Sequence, residues 1–274
     1  MKFDDAYEAE DERIELSPWL ARAAQEELGE TPALRRKCLK EFRDWIRSKE
    51  EYAKGSIRLD SNFLLRFLRF AKFNIHDTQI IFEKYISARV NHPEWFTKLD
   101  PQDEKIHSLI SRATSLFSRK RMSAMDASRF TSSDVIRVHI LFYESLLEEP
   151  ENQILGLSYV MDERDTNWSH ISVWTPSEIS KAFSCTEGAL PIRHRSVHLV
   201  YLPWTLMLVY HFAKNLLSTK LRKRLHLHSS FEELVKMNNL SSISMEKMIT
   251  SFLAKLDERR DPVLALDVIN SSLQ

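Results

Sequence analysis

The sequence contains few of the residues that build several common functional sites. It has only four glycines in 274 residues, which excludes a GxGxxG dinucleotide fingerprint and a phosphate-binding P-loop. Its two cysteines, Cys38 and Cys185, lie far apart and show no CxxC spacing. That spacing favours two buried thiols in a reducing compartment over a disulfide framework or a zinc site. Scarce glycine is also typical of a mostly helical chain.

Net charge and long apolar segments are missing as well. Lys+Arg and Asp+Glu number 39 each, so bulk charge predicts no nucleic-acid partner, and an anionic partner must meet a local patch. Residues 1–16 are acidic, which does not fit a secretory signal, and predict a disordered lead. The most apolar stretch, 197–212, is interrupted by Pro203 and is too short to span a bilayer. We expect a cytoplasmic protein.

The first third of the chain carries repeated helix-start signals. Ser17–Pro18 and Thr31–Pro32 each place a capping hydroxyl before a proline at the first helical position, and Asp60 and Asp77 are predicted N-caps. Apolar residues recur at three- and four-residue spacing after each signal. Residues 17–95 therefore predict a small helical bundle.

The periodicity changes in the middle of the chain. Helices are predicted at 102–117, 131–149, 176–186 and 206–217, and short apolar strands at 154–161, 196–201 and 225–228. Strands that alternate with helices indicate an α/β domain with a small, mostly parallel sheet. We place this domain at 102–260 and a C-terminal tail at 261–274.

Several segments, in order and spacing, resemble the CRAL-TRIO lipid-binding family of tocopherol and retinaldehyde carriers. The matching segments are DSNFLLRFLRFAKF from Asp60, NHPEWF from Asn91, MDASRFTSSDVIRVH from Met125, GLSYVMD from Gly156, TPSEISKAF from Thr175, PIRHRSVHLVYLP from Pro191 and LSTKLRKRLHLHSSFEEL from Leu217. The resemblance implies an N-terminal helical bundle followed by a CRAL-TRIO α/β domain whose sheet encloses a hydrophobic cavity.

The resemblance also implies a function. It implies a monomeric, non-enzymatic protein that binds and transfers a tocopherol-, retinoid- or other lipid-like molecule, with no cofactor besides that ligand. The protein would associate peripherally with endosomal or other intracellular membranes that contain phosphoinositides. Segment-to-segment matching puts the ligand-lining positions at Ile136, His139, Tyr143, Leu157, Met161, Ala182, Cys185, Thr186 and Ile192. Taken one at a time, each of these residues is better explained as ordinary core.

A set of four basic residues carries the membrane prediction. Arg193 and Arg195 share one face of an extended segment, and Lys220 and Arg224 share one face of a short helix. The resemblance implies that these four residues, the basic quartet, bind phosphoinositide head groups; the alternative is a solvated surface. The apolar helix 206–217 between them resembles the mobile gate of the family, with Trp204, Leu206 and Leu208 near the bilayer. A helix buried on all sides is the other interpretation.

Two departures from the family pattern keep a second function open. Phe117–Ala124 reads FSRKRMSA, where members carry an apolar edge strand, and the segment MNNLSSISMEKM from Met237 lacks a Tyr-Gly-Gly element. These departures favour a non-transferring phosphoinositide or membrane adaptor with a reduced cavity. A further row, Arg66, Arg69 and Lys72, is predicted to be an exposed or ion-paired face.

No pattern in the sequence supports catalysis or a metal. His226 and His228 share one strand face, but no neighbouring carboxylate completes a metal site, and Arg224 would repel a cation. We therefore expect no metal, and no catalytic residue is assigned.

Overall fold

The computed structural model describes residues 3–53, 57–115, 130–164, 166–238 and 245–269. Helices make up the N-terminal third, and the rest combines helices with one small sheet. The N-terminal helices are α1 (Phe3–Glu12), α2 (Pro18–Leu28), α3 (Pro32–Ser48), α4 (Glu50–Ala53), α5 (Ser61–Phe70), α6 (Ile75–Asn91) and α7 (Pro93–Phe96).

Helix starts follow the predicted capping residues in most cases. Thr31 Oγ1 accepts a hydrogen bond from Leu34 N at 3.2 Å, and Asp60 Oδ1 accepts one from Phe63 N at 3.0 Å. The prediction that Asp77 caps a helix is wrong. Asn74 does so, because its side-chain oxygen accepts from Asp77 N at 3.1 Å and the helix begins at Ile75.

The prediction of a disordered lead at residues 1–16 is wrong for the segment 3–12. Residues 3–12 form α1, and Asp11 is buried. Arg43 Nη1 and Nη2 donate to the two carboxylate oxygens of Asp11 at 2.6 and 2.8 Å. A paired, bidentate carboxylate can be buried at low cost, so an acidic segment that looks solvated in the sequence docks on α3.

The N-terminal core combines aromatic rings with buried arginines. Phe42, Phe67 and Phe82 are fully buried and meet edge to face, with ring centroids 5.2 to 6.3 Å apart. Arg66 and Arg69 are also fully buried, each with a carboxylate partner, so the ion-paired alternative holds for these two residues, whereas Lys72 of the same row is exposed.

The second part of the chain carries the sheet. Its elements are α8 (Glu104–Ser115), α9 (Ser132–Leu147), α10 (Pro150–Leu155), β1 (Leu157–Asp162), α11 (Trp168–Ile171), α12 (Pro176–Gly188), β2 (His194–Val200), a 3-10 helix (Trp204–Leu206), α13 (Met207–Leu216), α14 (Thr219–Arg222), β3 (Leu225–His228) and α15 (Phe231–Asn238). The three strands pair in parallel in the order β1-β2-β3. This confirms the predicted α/β class with a small parallel sheet.

The first strand begins later than predicted because Gly156 separates it from a helix. Ile154 and Leu155, predicted as strand, end α10. Gly156 has φ +78°, and a Cβ there would lie 2.4 Å from the Arg193 carbonyl oxygen. Only glycine permits this close approach, which lets Leu157 N donate to the same oxygen at 2.8 Å and start the β1–β2 pairing.

The C-terminal segment packs on the N-terminal helices instead of forming a tail. It contains α16 (Met245–Glu258) and α17 (Arg260–Leu264). Arg89 Nη2 donates to the Leu266 carbonyl at 2.9 Å, and Leu266 and Ile269 are fully buried. Burial of these apolar side chains corrects the predicted tail at 261–274 as far as residue 269. The Phe117–Ala124 segment and residues 239–244 lie outside the described residues.

Candidate functional site

A cavity of about 330 Å³ lies between the sheet and α13. Its walls come from one face of β1 and β2, from α11 and α12, and from the inner face of the 3-10 helix and α13. Apolar side chains make up most of the lining: Met161, Ile171, Phe183, Val197, Leu199, Leu202, Leu206, Val209, Ala213, Leu217, Leu221 and Leu225. Its volume lies within the range of small-molecule sites, about 300 to 1,000 Å³.

Polar groups occupy a small part of the cavity wall. His194 Nδ1 lies 3.2 Å from the Tyr159 hydroxyl, and the Tyr143 and Tyr159 rings meet edge to face with centroids 6.0 Å apart. Burial raises the pKa of both tyrosines, so their hydroxyl groups stay protonated. These hydroxyl groups and the imidazole offer hydrogen bonds to one polar end of an otherwise apolar ligand.

A carboxyl group forms a second polar point in the wall. Glu163 accepts a hydrogen bond from Thr166 Oγ1 at 2.6 Å, and both residues line the cavity. Burial raises the pKa of Glu163, with the neighbouring Asp162 adding to the effect, so its protonated form is favoured relative to a carboxylate in water.

The helix that covers the cavity is apolar on two faces. Leu206 and Tyr210 are buried on the inner side, whereas Trp204 is 85% exposed, Leu208 77% and Phe212 42% on the outer side. We call Trp204–Leu216, which comprises the 3-10 helix and α13, the lid. A structural core helix would bury its outer apolar face, so this exposure contradicts burial on all sides.

The structure places only part of the predicted ligand-binding set at the cavity. Tyr143 and Met161 line it. Ile136, Leu157, Cys185 and Ile192 are buried in the core, and Ala182 packs against that core. The Thr186 side chain lies outside the described residues. The structure places Tyr143 and Met161 at this cavity, and ligand contact remains a prediction for the whole set.

Two features of the fold explain why the predicted set and the cavity lining overlap only in part. Helix α9 is buried on most of its surface, so the spacing of Ile136, His139 and Tyr143 does not identify a cavity face. Leu157 opens β1 and is buried in the core, and the register shift beside it places the extra residue, Arg195, on β2. Burial also raises the pKa of the Cys185 thiol to about 12, which makes it inert.

His139 occupies an intermediate position. Its side chain has accessible surface, and its Nδ1 donates to the Val135 carbonyl at 2.8 Å. Surrounding protein nevertheless lowers the pKa of this imidazole. His139 is exposed and is not among the residues that line the cavity, so its contact with a ligand remains a prediction.

Sequence reasoning did not find several cavity residues. His194, Glu163 and Phe183 line the cavity without having been predicted. Alternation along β2 would have found Val197 and Leu199, which point to one face of the sheet. His194 also lines the cavity, although strict alternation from Val197 and Leu199 would place it on the opposite face of the sheet. It lies next to the register shift between β1 and β2.

Three members of the basic quartet lie around the start of β2. Arg193 and Arg195 both pair with Glu27 of α2, and Arg224 Nη1 donates to the His194 carbonyl. Lys220 is exposed on α14. These three arginines therefore share one region of the surface, but two of them already have a carboxylate partner.

Three histidines meet on the sheet face away from the cavity. His198 Nδ1 lies 2.8 Å from His228 Nε2, and the His226 ring stacks on His198 at 5.2 Å. Burial, together with the charges of the other two histidines, lowers the pKa of His198. No group of residues in the described ranges has the arrangement of a metal site.

Comparison with known proteins identifies the domain that contains the cavity. The CRAL/TRIO domain family matches residues 116–247, which include the sheet, the cavity walls and the lid. The chain carries a CRAL/TRIO domain. This match confirms the predicted resemblance. A second family, the Pinta-like UBA domain, matches residues 31–106, which include most of the N-terminal helices.

The curated relatives agree with this CRAL/TRIO assignment. Clavesin-1 from Pongo abelii is 30% identical over 239 residues, which cover 83% of this chain and 65% of that protein. Clavesin-2 from Homo sapiens is 28% identical over the same share of this chain and 70% of its own length. The chain thus spans about two thirds of the relatives' length.

No helix in the described ranges is long and apolar enough to cross a membrane.

Proposed function

We propose that this protein binds one hydrophobic small molecule in the cavity beneath the lid and carries it between membranes. The cavity itself is the main support: it is lined by apolar side chains, it is large enough for a small lipid-like ligand, and it has a few polar groups at its wall. The CRAL/TRIO domain supports lipid binding and transfer in general. The ligand would be tocopherol-, retinoid- or otherwise lipid-like.

The energy of ligand binding would come mainly from apolar burial. A ligand that loses about 300 Å² of apolar surface gains roughly 7 kcal/mol, before the cost of ordering is subtracted. The Tyr143, Tyr159 and His194 groups would orient the polar end of the ligand through hydrogen bonds. Because both tyrosines are partly buried, losing those bonds would leave polar groups in the wall less well satisfied.

Membrane contact would come from the outer face of the lid and from the basic quartet. Trp204 and Leu208 are exposed apolar side chains of the size that partitions into a bilayer interface. Arginine forks and the Lys220 ammonium group suit phosphoinositide head groups. We propose a cytoplasmic protein that associates peripherally with phosphoinositide-containing intracellular membranes.

A cavity-filling substitution tests ligand binding. Leu199→Trp should occupy the cavity and lower the uptake of fluorescent retinol by about tenfold or more. Leu227→Trp is the matched control, because Leu227 pairs with Leu199 across β2 and β3 but is exposed and does not line the cavity. Equal uptake by both folded variants would show that the ligand binds elsewhere.

The adaptor alternative is supported by the size of the cavity, which is near the lower end of the range for ligand sites. Native mass spectrometry of the purified protein separates the two functions. A carrier should retain one lipid per chain, and Leu199→Trp should lose it. An adaptor should carry no stoichiometric lipid and should still bind phosphoinositide vesicles.

A further inference from the structure

One carboxylate lies between the two arginines at the start of β2. Glu27 Oε2 accepts a hydrogen bond from Arg193 Nη2 at 2.9 Å, and Glu27 Oε1 accepts one from Arg195 Nη2. In the described part of the chain, neither arginine pairs with another carboxylate. The proximity of both guanidinium groups lowers the pKa of Glu27 against the opposing effect of burial, so this carboxylate is ionised at neutral pH.

The backbone holds the two arginines in place independently of Glu27. Arg193 Nη1 donates to the Ile154 carbonyl, and Arg195 Nε donates to the Leu155 carbonyl, both at the end of α10. The close approach at Gly156 brings this helix end and Arg193 together. Each guanidinium group therefore donates one hydrogen bond to a backbone carbonyl of α10 and has a second N–H group that can donate to an anion.

Glu27 reaches the arginines from a separately anchored helix. Helix α2 is held by the buried side chains Leu20, Ala24 and Leu28 and packs against α10. The carboxylate is on the partly exposed edge of that helix, so it can leave the arginines without unpacking the core. Its position is the one that a phosphate group would take between two arginine forks.

We infer that Glu27 is an internal competitor for anions at the basic quartet, so that only a multiply charged head group displaces it. The inference rests on the proposed phosphoinositide binding at this patch. A singly charged lipid such as phosphatidylserine would replace the single negative charge of Glu27 with another single charge, so the net gain in binding free energy would be small. A phosphomonoester carries a charge of about −1.5 to −2 at pH 7, so a bisphosphorylated inositol replaces Glu27 with a large surplus of negative charge.

The displacement also has a consequence for α2. Release of Glu27 removes the ionic contact between the end of α2 and the start of β2, while Leu20 and Leu28 stay buried. Amide hydrogens in the last turn of α2 should then exchange faster when the head group is bound. This local readout does not depend on how tightly the protein binds vesicles.

Substitution of Glu27 tests the competition directly. Glu27→Gln keeps the size of the side chain and removes its charge, and Glu26→Gln is the matched control, because Glu26 is an exposed neighbour in α2 that forms no ion pair in the described residues. Binding is measured to phosphatidylcholine vesicles with phosphatidylinositol bisphosphate, to vesicles with phosphatidylserine, and to soluble inositol trisphosphate.

We expect Glu27→Gln to bind the bisphosphate vesicles and the soluble inositol phosphate about three- to tenfold more tightly, which is the scale of one or two partly exposed ion pairs. Binding to phosphatidylserine should rise by a larger factor, so the discrimination between the two lipids should shrink. Glu26→Gln should match the wild type. Equal affinities for the Glu27 and Glu26 variants, or weaker binding by Glu27→Gln, would overturn the inference.

Charge reversal separates this inference from the proposed function. If Arg193→Glu with Arg195→Glu abolishes vesicle binding but Glu27→Gln changes nothing, phosphoinositide binding stands and only the competitor role is refuted. If vesicle binding is insensitive to all of these substitutions, the patch does not bind the head group, and both proposals fail there. Thermal melting of each variant confirms that it is folded.

Discussion

The N-terminal helices and the sheet with its lid use charge and apolar surface in opposite ways. In the helical part, Arg66 and Arg89 are completely buried and share the carboxylate of Glu144. In the lid, Trp204 and Leu208 are apolar and exposed. Each arrangement costs free energy unless a partner compensates for it. The buried charges have their partners within the chain, whereas the exposed apolar groups have none among the described residues.

This difference indicates that the helical part is a rigid support and that the outer face of the lid is a surface for binding. The buried network links three helices at fixed geometry: Arg66 Nη1 donates to Glu144 Oε2 at 2.7 Å, and the Tyr85 hydroxyl donates to Glu144 Oε1 at 2.7 Å. Because Glu144 belongs to α9, which also carries Tyr143 of the cavity wall, the network anchors one side of the proposed ligand site. Among the residues that the structure describes, no comparable ion-pair network anchors the lid on the other side.

Removal of the shared carboxylate should have the largest effect on stability. Glu144→Gln removes the buried carboxylate that Arg66 and Arg89 share and leaves Arg66 with Glu148 as its ion-pair partner, and we expect the free energy of unfolding to fall by about 3 to 5 kcal/mol. Chemical denaturation measures this. The control is Glu83→Gln, which removes an exposed partner of Lys49 and should cost no more than about 1 kcal/mol. Similar losses for both variants would contradict the rigid-support half of the comparison.

Substitution of the outer lid residues should change membrane binding and leave stability nearly unaltered. Trp204→Ser with Leu208→Ser removes two side chains that would each gain about 1.5 to 3 kcal/mol on burial, so vesicle affinity should fall by at least tenfold. The free energy of unfolding should change by less than about 0.5 kcal/mol per site. Trp19→Ser, an exposed tryptophan on α2, should change neither quantity. Loss of stability in the lid variant would show that the lid is structural core.

The three-histidine cluster predicts a smaller, pH-dependent effect in the sheet. The folded state lowers the pKa of His198, so the unfolded chain binds the proton more readily. Stability is therefore complete above the ordinary histidine range and falls as the pH drops through it. Denaturation curves at several pH values should show this slope, and His198→Gln should flatten it. A slope that persists in His198→Gln would assign it to other groups.

Local signals in the sequence predicted the helices and strands better than they predicted the site. Thr31 and Asp60 each cap a helix by accepting a hydrogen bond from the backbone N–H three residues further on. Strand β3 was predicted from its short LHLH pattern. The partner of Arg66 lies 78 residues away, so its burial has no local signal. Charge pattern alone made Arg66 resemble a surface residue, as it made the segment around Asp11 resemble a disordered lead.

The cavity residues were predicted poorly for related reasons. The periodicity of α9 does not separate a cavity wall from solid core when most of the helix surface is buried, and the register shift next to His194 is set by the pairing of β2 with β1. The basic quartet was identified by residue type and spacing. Its pairing with Glu27, which lies 166 residues before Arg193, could come only from the tertiary structure.

Hydrogen exchange along the chain tests the contrast between support and lid most directly. Amides of α13 should exchange early and those of α5 late, because the outer face of α13 is exposed while α5 is buried around the ion-pair network. Retinol should slow exchange in α13, and vesicles of phosphatidylcholine with phosphatidylinositol bisphosphate should change it, with α5 unaffected by either. Protection of α13 equal to that of α5, insensitive to both additions, would contradict the account and remove the proposed exit route from the cavity.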